Sequence, residues 1–119
     1  MISADKVLER VNALRPNSFG SYLEHYLESF ELKVKKDLLF EADPVYNASA
    51  LVLDAPDDIV YDLYLFTVID FLNGEFGRYE NTYSAFISAW EMLLSSSAEE
   101  EDTEDSITNN NGGAMIKLW

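Results

Sequence analysis

The chain has 119 residues, 48% of them hydrophobic and 13% aromatic, which is ample for the core of a single globular domain. Cysteine is absent; disulfides, thiolate metal sites and cysteine nucleophiles are excluded together, and a reducing compartment is favoured. The formal net charge of −14 disfavours attraction to nucleic acid or to anionic membranes.

The charge is not confined to one block. Six carboxylates fall in Glu99–Asp105, yet residues 1–98 still carry sixteen acids against seven bases. Met1–Arg10 lacks the apolar core segment and cleavage site of a signal peptide.

In chain order, Ser3 is placed to cap a first helix near residues 4–14, with Val7, Leu8, Val11 and Leu14 on its buried side and Asp5 in its first turn. Pro16 ends it by pushing Arg15 out of the helical region. Ser21 and Glu24 have capping-box spacing for a second helix near 20–39. Its stripe is Tyr22, Leu23, Tyr26, Leu27, Phe30, Val34 and Leu38, with Glu31 and Lys35 as an i,i+4 pair in the favourable order. Glu41–Ala55 reads as a loop packed over the bundle, with a short extended piece at Ala50–Leu53.

A third helix is expected near 57–75, with Pro56 near its first turn and Asp57 and Asp58 at its positive end. Between Ile59 and Leu72 only Asp62, Thr67 and Asp70 are not hydrophobic, the pattern of a buried central helix. At fourteen residues with two carboxylates, it is no bilayer span. On a helical wheel Asp58, Asp62, Asp70, Asn73 and Gly77 share one polar seam, interrupted by Phe66 and Ile69. Asn73-Gly74 and Gly77 weaken the helix, and the joint is expected near Gly77. A fourth helix near 79–95 follows, with the stripe Tyr79, Tyr83, Phe86, Ile87, Trp90, Leu93 and Leu94 assigned to the core. The expected division is therefore a four-helix, all-α bundle over 1–95, an acidic and polar flexible linker over 96–113, and an apolar segment over 114–119. Truncating Leu65 or Leu72 is expected to approach loss of fold.

Chemistry is scarce. His25 is the only histidine and reads as a surface or rim residue. Asp62 and Asp70 could serve as acid and base, but a subunit interface or a closed polar seam accounts for them better. With one histidine and no cysteine, only a carboxylate-and-carbonyl metal site would remain, and no constellation marks one. Gly74–Gly77 has no preceding strand and no following lysine, so it is not a phosphate loop. Basic residues are not interleaved with the Tyr79–Trp90 stripe, as a base-stacking platform would require. No catalytic, cofactor or metal site is expected.

Leu14-Arg15-Pro16-Asn17, Tyr26-Leu27 and Phe30-Glu31 resemble the start of the small head–tail connector (adaptor, head-completion) proteins of tailed phages and prophages of Gram-positive bacteria. The similarity is stronger over Tyr61–Trp90, in Tyr61-Asp62-Leu63-Tyr64, Ile69-Asp70-Phe71, Asn73-Gly74-Glu75-Phe76, Arg78-Tyr79, Asn81 and Phe86. It covers most of residues 7–94 and is most specific in Ile69–Asn81.

The resemblance implies a structural virion protein and no enzyme. Such proteins form a homo-oligomeric ring, dodecameric in the virion, beneath the portal protein. The ring extends the DNA channel, which DNA passes without specific binding, and meets a neck or tail completion protein. The implied location is the head–tail interface, after assembly in the host cytoplasm and without a membrane.

Arg78, the only basic residue between Lys36 and Lys117, is expected to pair with a carboxylate at the joint between helices three and four, in its own subunit or the next, and Asn17 and Asn81 to cap helices or tie down loops. Met115, Ile116, Leu118 and Trp119 are expected to hold a neighbouring subunit or the portal. The alternative is a small acidic binding or inhibitor protein, nucleic-acid-mimic or antitoxin-like, motivated by the net charge.

Overall fold

Among the described residues four helices account for the regular structure: α1 (Ala4–Leu14), α2 (Ser21–Leu39), α3 (Ile59–Leu72) and α4 (Phe76–Glu101). The computed structural model describes residues 1–101, with side chains through Ser96. The 114–119 segment, and the part of the 96–113 linker after Glu101, lie outside the described residues. The chain is an all-α bundle, and no strand occurs among the described residues.

α3 is central, packed against each of the other helices. Its sequence dictates this, because fourteen residues with so few polar positions have no face for solvent. It supplies Val60, Tyr61, Tyr64, Leu65 and Ile69 to the core. α2 contributes Leu23, Leu27, Phe30 and Val34 at helical spacing, α1 contributes Ala4, Val7 and Val11, and α4 contributes Phe86 and Trp90. Phe30 lies at the aromatic centre. Its ring stacks 4.7 Å from that of Tyr64 and meets Phe86 and Trp90 edge-on at 5.5 and 5.3 Å.

The segment between α2 and α3 packs over the bundle, burying Leu51 and Leu53. Its backbone is tied to the N-terminal residues, with Ala4 N–H donating to Ala48 and Leu51 N–H to Ile2.

Several local details differ from expectation. Ser3 Oγ accepts from Lys6 N–H as a cap should, but the Ser21–Glu24 capping box does not form. Gly20 is the N-cap of α2, at φ 56° and ψ −128°, a conformation closed to side-chain-bearing residues. Asn17 sets up this entry: its Oδ1 accepts from Phe19 N–H, and its Nδ2 donates to Asn12 Oδ1 and Arg15 O.

The α3–α4 joint lies at Asn73–Glu75, not near Gly77. Gly74, at φ 74°, makes the turn, and Gly77 falls in the first turn of α4. α4 also runs on to Glu101, past the expected boundary at 95. Ala98 and the following glutamates are good helix formers, and extending an existing helix avoids a new nucleation cost.

Leu72 is 40% exposed at the end of α3, so its truncation does not threaten the fold. Glu31 differs most. Instead of lying on the surface beside Lys35, it is fully buried. Its carboxylate accepts from Tyr61 Oη at 2.5 Å and from Val52 N–H at 2.8 Å, and Tyr61 Oη accepts from Leu53 N–H at 3.0 Å. Lys35 Nζ donates instead to Val45 O. Burial raises the Glu31 pKa, while the two donors act in the opposite direction.

This network joins α2, α3 and the intervening loop, and it needs an acceptor at both carboxylate oxygens. Glu31→Gln puts an NH₂ group against either Val52 N–H or the Tyr61 hydroxyl. One buried polar group then loses its partner, at a cost of about 1–3 kcal/mol. A Tm several degrees below the parent is the expected result, and an unchanged Tm contradicts it.

Burial also pushes the phenols of Tyr46 and Tyr64 up to about 12, and that of Tyr61 further still. The folded chain therefore retains protons that the unfolded chain releases above the ordinary value of 10.0. This stabilisation is complete below that pH and is lost as pH rises toward 12. Part of the tyrosinate absorbance should thus develop only together with loss of the helical circular-dichroism signal. Ionisation of all seven tyrosines near pH 10 in an intact helical protein would refute this.

Candidate interaction site at the α3–α4 corner

The polar seam of α3 is closed from within the same chain, by two arginines of the first helical hairpin. Arg10 on α1 donates Nε to Asp62 Oδ2 at 2.8 Å, Nη2 to Asp62 Oδ1 at 2.6 Å, and Nη1 to Asp58 Oδ2 at 3.2 Å. The fork geometry suits a bidentate carboxylate, and the hydrogen bond to Asp62 leads the causes that raise the Arg10 pKa. Arg15, the C-cap of α1, donates Nη1 to Asp70 Oδ2 at 2.6 Å and lays its guanidinium 4.6 Å over the Phe66 ring. Phe66 thereby becomes part of the seam rather than an interruption of it.

Asp62 and Asp70 are held separately. Each has its own arginine, and their side chains are only 3% and 1% exposed. Sequence reasoning missed both arginines because they lie 52 and 55 residues before their partners. The available signal was the position of Arg10 beside the Val7–Val11 stripe, facing a helix with buried acids to neutralise.

Asp70 is the hub of the corner where α3 turns into α4. Its Oδ2 accepts from Arg15 and lies 3.1 Å from Thr82 Oγ1. Its Oδ1 is buried without a hydrogen bond. Arg78 Nε is 3.8 Å from that oxygen, and Arg78 Nη2 is 3.8 Å from Glu75 Oε1. Arg78 therefore lies between two carboxylates at the joint, in ion-pair range but beyond hydrogen-bond range, and its side chain is 49% exposed.

Outside this polar centre runs an aromatic ridge. Phe71 and Phe76 are 54% and 58% exposed. The Phe71 ring lies 6.1 Å from Phe76 and 5.4 Å from Tyr79, which stacks 5.7 Å from Tyr83. The stripe expected on α4 is thus divided: Phe86 and Trp90 enter the core, while Tyr79 and Tyr83 are half-buried in the ridge.

Asn81 is exposed inside α4, not at a helix end, so it caps nothing. His25 is exposed on α2. Met115, Ile116, Leu118 and Trp119 lie outside the described residues. Among the described residues no three His, Asp or Glu side chains are grouped to hold a metal ion, and no helix is long and apolar enough to cross a membrane.

No family model, curated protein or solved structure matches this chain.

Proposed function

We propose that the chain is a head–tail connector, a structural protein that assembles as a ring beneath a phage portal and extends the DNA channel toward the neck. The carrying observation is that Ile69–Asn81, where the sequence most resembles that family, is also where the fold leaves its exposed aromatic corner. What supports the reading is that Phe71 and Phe76 are exposed side by side in one ring-on-ring patch. An all-helical fold supports the reading, as does an acidic body, since a conduit for DNA works best when its wall repels phosphate.

The ring is homo-oligomeric, one face meets the portal, and the opposite face offers a platform to a neck or tail completion protein. Catalysis is no part of this role. Sedimentation of the chain with and without a portal protein from the genome that encodes it tests the proposal: co-sedimentation in fixed ratio is expected. Duplex DNA, by contrast, should not be retained near physiological salt. A chain that ignores the portal, or binds DNA at micromolar concentration with steep salt dependence, contradicts the proposal.

A further inference from the structure

The α3–α4 corner is incomplete in two independent ways. Phe71, Leu72 and Phe76 remain 54%, 40% and 58% exposed, although the ridge they belong to is already ordered ring against ring. Next to it, Asp70 Oδ1 is a buried acceptor without a donor, and Arg78 stops 3.8 Å short of it. An apolar segment laid across the ridge would exclude water from the phenyl rings and from Arg78 together. Lower local polarity strengthens the attraction of Arg78 for Asp70, so one docking event would satisfy both deficiencies.

We propose that this corner is the docking site for residues Ala114–Trp119 of a second copy of the chain. Charge, composition and reach select that occupant. Residues 1–98 carry sixteen acids against seven bases, so a second body meeting the corner face-on brings charge of the same sign. Ala114–Trp119 has no acidic side chain and carries Lys117, while Glu75 and Glu80 are exposed at the corner.

The segment is otherwise apolar, with Met115, Ile116, Leu118 and Trp119. An indole and a thioether are suited to an aromatic ridge, through edge or offset ring contacts and sulfur–ring contacts.

Reach separates the two copies. Glu101 lies about 33 Å along the α4 axis from Tyr79. The stretch from Glu101 to Ala114 has a typical coil reach of roughly 20 Å and a fully extended limit of about 45 Å. A copy's own corner therefore lies beyond the typical reach of its segment, although inside the extended limit, whereas the corner of a copy placed beside the end of α4 falls within ordinary reach. Such a contact is heterologous, segment of one copy to corner of the next, and it generates a ring when the rotation between copies closes. The inference takes its biological setting from the connector reading, but its geometry does not depend on portal.

Complementation between two defective full-length chains tests it. Phe71→Ser/Phe76→Ser removes the ridge, and Trp119→Ala removes the main group of the segment. Sedimentation should show the parent associating with rising concentration, and each variant weakened at least tenfold. An equal mixture of the two variants should form dimers that grow no further, because it contains one intact corner and one intact segment per pair. A labelled peptide of residues 110–119 should bind the Trp119→Ala chain and not the ridge variant. Should the ridge variant lose its helical signal, Phe76→Ser alone serves in its place.

Association that survives Trp119→Ala, a parent that stays monomeric at every concentration, or a mixture no larger than its components would overturn the proposal. Portal attachment, measured separately, can succeed or fail in any of these cases, so the two ideas are judged apart.

Discussion

Arg15→Met is expected to lower the free energy of unfolding by about 3–5 kcal/mol, a large share of the roughly 5–15 kcal/mol available to a small domain. Methionine keeps an apolar stem over Phe66 but withdraws the charge that neutralises Asp70, whose side chain is 1% exposed. Asp70 then retains Thr82 and a distant Arg78, neither of which replaces a 2.6 Å charged hydrogen bond. The loss comes from stranding a buried charge rather than from the worth of the pair. Arg15→Met with Asp70→Leu should therefore recover most of the stability, since an apolar replacement of a buried ion pair is often neutral or better. Urea titration of the single and double variants decides this. A single variant within about 1 kcal/mol of the parent would mean that Asp70 does not depend on Arg15.

Leu65→Ala and Leu72→Ala should differ sharply, although both are leucines of α3. Leu65 is fully buried at the centre of the bundle. Its truncation removes transfer energy and leaves a cavity, for about 2–5 kcal/mol. Leu72 is 40% exposed, and its truncation should cost under about 1 kcal/mol. Equal losses from the two would show that the end of α3 is buried and that the corner is not a free surface.

That contrast marks how far the sequence could be read. The position of α3 was legible because its composition leaves no alternative: a run with three non-hydrophobic residues in fourteen must lie inside. Helical periodicity along such a run cannot show where the supporting helices stop, so the overhang of Phe71 and Leu72 was invisible. The polar seam was legible as a seam, but its covering was not. Arg10 and Arg15 reach it across more than fifty residues, and local spacing carries no information at that range.

Glu31 failed for the same reason in reverse. Its local partner Lys35 satisfies every rule of helix surface pairing, yet Tyr61 and the loop at Val52 claim it through contacts 21–30 residues away. The Ser21 capping box lost to an entry turn already set by Asn17 and completed by Gly20. Of the candidate interface, the sequence marked Arg78 as the lone base between Lys36 and Lys117 among acidic neighbours, and the exposure of the ridge came only with the fold.

Imaging of the purified chain incubated with portal assemblies from its own genome, by cryo-electron microscopy, is the most direct test of the connector proposal. The predicted result is added density that forms a closed ring coaxial with the portal, with the four-helix body repeated around the channel. Portal particles that remain bare at saturating chain concentration would contradict it.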